Sequence, residues 1–110
     1  MLFTDFTAGG KEYKLRLSTR ATVELEKKLG CNPLGIFKDE ETLPSVTNMV
    51  YILHAALQQM QHGVTLANAM DIFDTWLDDG HAVTEFIPII LDIYKCSGII
   101  GETAGDNEKN

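Results

Sequence analysis

The sequence has little that covalent or metal chemistry could use. Its 110 residues include two cysteines, Cys31 and Cys96. They are too few for a disulfide framework and lack the paired spacing of a zinc site. Both read as small, buried or half-buried apolar residues. Nowhere do roughly 18 apolar residues run together, so no membrane-spanning helix is expected. The opening Met1-Leu2-Phe3-Thr4-Asp5-Phe6 lacks a basic region followed by an apolar stretch and does not read as a signal peptide. A cytoplasmic protein is therefore expected. His54, His62 and His81 share no short spacing, and neither H-E-x-x-H, C-x-x-C nor a glycine-rich phosphate loop occurs. No catalytic residue, metal ligand or cofactor is expected on these grounds.

Positive charge is also scarce where it would matter for nucleic acid. Residues 1–38 hold seven Lys or Arg against four acids, a balance of +3. Residues 39–110 hold two against twelve, a balance of −10, which together give the net charge of −7. Between Lys38 and Lys95 there is no Lys or Arg at all. Phosphate binding rests on those side chains, so this stretch repels nucleic acid. Its field suits solubility and partners with basic surfaces.

Hydrophobic residues make up 45% of the chain, enough for one core, and one domain over residues 1–100 is expected. Leu2-Phe3-Thr4-Asp5-Phe6 and Tyr13-Lys14-Leu15-Arg16-Leu17 alternate apolar and polar, which predicts strands over about 2–7 and 11–17. The glycines of Ala8-Gly9-Gly10-Lys11 suit the turn between them. Helices are predicted over about 19–29, 45–61, 65–79 and 84–97, opened by Ser18 or Thr19, Ser45 and Thr65, with Gly30, Gly63, Gly80 and Gly98 near their ends. The expected class is mainly α: an N-terminal β-hairpin packed on a four-helix domain, with residues 101–110 a disordered tail. Pro88, early in the last helix, predicts a kink there.

Two surfaces stand out as candidates for binding. The last helix is apolar around most of its circumference, which predicts that part of it is covered by a partner or a second copy, with Ile89, Ile93 and Tyr94 on that surface. The third predicted helix places Asp71, Asp74 and Asp78 on one face, a carboxylate row without the converging loop that a hard cation needs. Asp78 and Asp79 at its C-terminus oppose the helix dipole, a small cost consistent with charge recognition.

The order of motifs carries more information than any single one. The run Tyr13-Lys14-Leu15-Arg16-Leu17-Ser18 continues into Leu25-Glu26-Lys27-Lys28-Leu29-Gly30-Cys31-Asn32-Pro33-Leu34. Further on come Leu43-Pro44-Ser45, Ile52-Leu53-His54-Ala55-Ala56-Leu57-Gln58, His62-Gly63, and Ile87-Pro88-Ile89-Ile90 through Lys95-Cys96-Ser97-Gly98. In this order they resemble the tail assembly chaperones of long-tailed phages of Gram-positive bacteria, over nearly the whole chain. The resemblance implies a non-enzymatic protein of the infected or lysogenic host cytoplasm, absent from the mature virion. It also implies binding and solubilising the tape measure protein and recruiting tail tube subunits. Such families often make a longer product by a programmed −1 frameshift, and Glu108-Lys109-Asn110 can be encoded by a slippery A-AAA-AAC heptamer. Two competing readings are a small acidic, antitoxin-like regulator that blocks a basic partner, and a minor structural virion protein.

Overall fold

In the computed structural model, which describes residues 2–38 and 43–101, the chain begins with an antiparallel hairpin of β1 (Thr4–Ala8) and β2 (Lys11–Leu15). Four α-helices follow: α1 (Thr19–Leu29), α2 (Val46–Leu57), α3 (Leu66–Asp78) and α4 (Phe86–Cys96). Two short 3-10 turns, Pro33–Phe37 and Val83–Glu85, lead out of α1 and into α4. Side chains at the boundaries explain most of these limits. The hydroxyls of Ser18, Ser45 and Thr65 accept from the backbone N–H of Ala21, Asn48 and Asn68, and the Asn68 side chain answers by accepting from Thr65 N–H.

The class expected from the sequence needs correction. Helices dominate, but the hairpin is not an addition to a finished four-helix domain: it supplies part of the core. Thr4 pairs with Leu15 and Phe6 with Tyr13, and this register turns Phe6, Ala8, Tyr13 and Leu15 inward together. They join Leu25, Met49, Leu53, Phe73, Trp76 and Phe86 in one buried cluster. Phe6 contacts the Trp76 ring at 5.7 Å and meets Phe86 edge-on at 6.0 Å between centroids. Helix α2 packs on α1, α3, α4 and β2, so it forms the centre of the molecule. The proposed tail beyond residue 101 lies outside the described residues.

Helix ends differ from the expected ones for local reasons. Helix α2 stops at Leu57, short of 61, where the Gln58 side-chain amide donates to the carbonyls of both His54 and Val64. The His54 Nε2–H also donates to Val64 O, at 2.9 Å, so His54 of α2 and its C-cap residue Gln58 clamp the turn into α3. Helix α4 begins at Phe86 and not at 84. A proline ring clashes with the carbonyl four residues earlier, so Pro88 keeps Thr84 out of an α-helical turn and in the 3-10 turn that precedes α4.

Both ends of the hairpin are tied to helices. At the turn, Gly9 N–H donates to the Asp79 carboxylate at 2.7 Å. Asp79 thus holds the hairpin to the end of α3, which accounts for a carboxylate at the unfavourable pole of that helix. At the open end, the Arg16 guanidinium donates to Leu2 O and to Cys96 O, at 3.0 and 2.9 Å. Arg16 N–H reaches Ala56 O, and Leu17 N–H donates to the Ser97 hydroxyl. A cation on a terminal carbonyl of α4 also complements that helix's dipole.

The tightest backbone approach is at the turn. Gly9 and Gly10 have φ of 60° and 79°, the paired left-handed values of a two-residue hairpin turn. A Cβ on Gly9 would come within 2.7 Å of Thr75 Cγ2, whereas one on Gly10 would meet open space. Gly10→Ala is therefore expected to cost about 1–2 kcal/mol, the penalty of a left-handed L-residue. Gly9→Ala should cost more, because the hairpin must also move off α3. Urea unfolding of both variants checks the order, and equal losses would mean that the turn does not press on α3.

His54 supplies a pH test of the α2–α3 clamp. Its half-buried position and then the nearby Lys28 ammonium hold its pKa below the ordinary 6.5, with the Val64 hydrogen bond opposing them. The folded state thus prefers neutral His54. Its contribution to stability is complete above the ordinary histidine value and is lost as pH falls through the lowered one. An NMR titration should place the His54 midpoint below 6.5, and Lys28→Gln should raise it. A midpoint at or above 6.5 would contradict this environment.

Candidate interaction surface

The surface residues expected on α4 divide between interior and edge. Ile93 and Tyr94 are both 0% exposed, and this corrects their placement on a docking surface. Tyr94 donates its hydroxyl to Pro33 O at 2.8 Å, and Phe37 packs edge-on against its ring. Burial raises the Tyr94 pKa well above its usual value, with a smaller contribution from Cys31, so the phenol stays protonated as a donor. Ile89 is only partly buried, and so are Ile87 and Leu91 on the opposite flank of the helix's exposed strip, so the apolar surface left on α4 is divided between two edges. The wide apolar circumference is explained by contacts with both α2 and β1, together with the 3-10 turn around Pro33 that sits on Tyr94.

Asp71, Asp74 and Asp78 all lie exposed on α3. Among the described residues none of the three has a cationic partner within ion-pair distance. Ala69, Phe73 and Trp76 face the core from the same helix, which fixes the carboxylates outward. Beside them is a shallow hollow of about 290 Å³, lined by Val46, Val50, Met70, Phe73 and Asp74. Met70 is 49% exposed and Val46 47%, so the hollow offers apolar contact next to carboxylates. The acidic row was visible in the sequence. That Val46 and Met70, both apolar, reach the surface is decided only by the packing of α2 on α3.

A second, larger depression lies between α1 and α2, with a volume of about 540 Å³. Ala21, Leu25 and Ala55 form its apolar floor, and Arg20, Lys28, His54 and His62 stand around it. Lys28 Nζ sits 5.7 Å from the centre of the Tyr51 ring, a cation–π contact that places the ammonium at the groove wall. No sequence motif announces this groove. A usable signal was present in the spacing, since Arg20 and Lys28 are eight residues apart on α1, and His54 and His62 are eight apart in the sequence.

Among the described residues, no three His, Cys, Asp or Glu side chains gather closely enough to hold a metal ion. No helix among them is long and apolar enough to cross a membrane. Cys96 is buried between hairpin and helix, its Sγ 3.4 Å from Thr4 Oγ1 and 3.6 Å from Leu15 O, in a packing role. The geometry is that of a protein with two surfaces of opposite charge, one acidic beside an apolar hollow and one apolar with a basic rim.

No curated protein and no solved structure matches the chain. A family of unknown function, DUF6096, matches residues 4–110. That span takes in the hairpin and all four helices, and the chain belongs to this family.

Proposed function

We propose that this chain is a binding protein that acts as a tail assembly chaperone in phage tail morphogenesis. On this reading it binds and solubilises the tape measure protein and helps to recruit tail tube subunits. The observation that carries the proposal is the ordered set of motifs from Tyr13 to Gly98, which resembles that family over nearly the whole chain. The surface of α3 supports it. Exposed carboxylates at Asp71, Asp74 and Asp78 beside the Val46–Met70 hollow suit a partner segment that combines basic and apolar side chains. The half-open Ile89 edge of α4 offers further apolar contact, to that partner or to a second copy. The same reading places the protein in the cytoplasm of an infected or lysogenic bacterium. A frameshifted longer product belongs to it too, although Glu108-Lys109-Asn110 lies outside the described residues.

Co-expression with the tape measure protein of the same phage or prophage tests the reading. The expected outcome is a soluble complex where the tape measure protein alone is insoluble. Replacing Asp71, Asp74 and Asp78 together by Asn should leave folding intact and weaken the complex by roughly tenfold, the sum of three exposed charge contacts. The wild-type complex should also weaken as salt rises, since exposed charges are screened within about 10 Å at 0.1 M. A tape measure protein that stays insoluble would contradict the proposal. Binding that ignores both salt and the triple substitution would remove the acidic face from it.

A further inference from the structure

We propose that the groove between α1 and α2 is a second docking site, for an acidic amphipathic helix of a partner protein. The chemistry of its walls is the reverse of the chain as a whole. The protein carries a net charge of −7, yet Arg20 and Lys28 converge on this groove against one acid, Glu24, with the imidazoles of His54 and His62 beside them. Glu24 is engaged with Lys27, whose Nζ lies 3.5 Å from it. Arg20 and Lys28 have no carboxylate within ion-pair distance among the described residues. Of the hairpin's cations, Lys11 lies over the Tyr13 ring and does not line the groove, and the other two are committed. Lys14 pairs with Asp5, and Arg16 is spent on Leu2 O and Cys96 O.

Spacing indicates what shape of anion fits. Eight helical residues rise about 12 Å, so Arg20 and Lys28 mark the two ends of a strip roughly two turns long. An apposed helix with carboxylates seven or eight residues apart presents negative charge at the same interval. Between those ends the floor is apolar, formed by Ala21, Leu25 and Ala55, and it accepts an apolar side chain from the turn between the carboxylates. This is the helix-in-groove mode of recognition, with charge setting direction and register. The volume of about 540 Å³ holds one or two large apolar side chains but not a complete helix, so the partner lies across the groove mouth with its apolar stripe inserted. Lys28 is held ready over the Tyr51 ring, which reduces the side-chain freedom lost when a carboxylate arrives. The groove shares no residue with the hollow beside α3, and the inference stands whatever partner the acidic face takes.

The test uses the full chain, isotope-labelled for NMR, and a synthetic helical peptide roughly 18 residues long, about five turns. The peptide carries a Leu stripe and Glu residues seven apart, and a control peptide has Lys in place of each Glu. The expected result is chemical-shift change confined to the α1 and α2 residues around the groove, with the Lys peptide binding roughly tenfold more weakly. The double variant Arg20→Glu/Lys28→Glu should reverse that preference, while its unperturbed spectrum elsewhere shows that it folds. Ala21→Trp, which fills the floor, should abolish binding of the Glu peptide. Equal affinity for the two peptides, shifts centred on α3, no binding at millimolar peptide, or an unchanged preference in the double variant would each overturn the proposal.

Discussion

A two-stranded hairpin has no stability of its own in water, and everything in this molecule depends on how its inner face and both of its ends are held. Phe6, Ala8, Tyr13 and Leu15 give it one apolar face, but apolar contact alone is non-directional and would let the ribbon slide. Direction comes from hydrogen bonds at its two ends. Asp79 accepts from Gly9 N–H at the turn, and Arg16 donates to the last carbonyl of α4 at the open end. The two clamps come from the ends of α3 and α4, which also meet directly where Phe73 and Trp76 pack against Phe86. Phe6 joins that aromatic contact from the hairpin, so hairpin and helices fix one another's positions.

From that arrangement the surfaces follow. Helix α2 packs on α1, α3, α4 and β2, and it is partly open where it flanks α3 and α1. One flank, with α3, carries the hollow bounded by Val46 and Met70 beside Asp74. The other, with α1, carries the groove between Arg20 and Lys28. Opposite charges on two flanks of one rigid helix suit a protein that brings two different partners into proximity. The role proposed above, with a long helical protein and tube subunits as partners, would have that requirement.

Much of the local structure was legible in the sequence because it is decided locally. Ser18, Ser45 and Thr65 open helices because their hydroxyls satisfy free backbone N–H groups, and Gly9-Gly10 turns the hairpin because both positions need positive φ. The outward row of Asp71, Asp74 and Asp78 followed from helical period alone. What could not be read was the division of α4. Periodicity identifies a helix apolar on most sides, but it does not say that the turn around Pro33 covers Tyr94 while Ile89 keeps an open edge. Arg16 was equally opaque, since its partners are backbone carbonyls, one of them 80 residues away, and any sequence supplies those. Asp79 was misread for the same reason. An apparent cost to α3 is repaid by a contact 70 residues distant.

The most direct measurement of the central claim is quantitative mass spectrometry of the host during tail assembly and of the purified particles it releases. Peptides unique to this chain should be abundant in the assembling cells, recovered with the tape measure protein, and absent from finished virions in which tube and tape measure peptides are plentiful. Stoichiometric recovery of the chain in purified particles would contradict the chaperone account and make it a structural component of the virion.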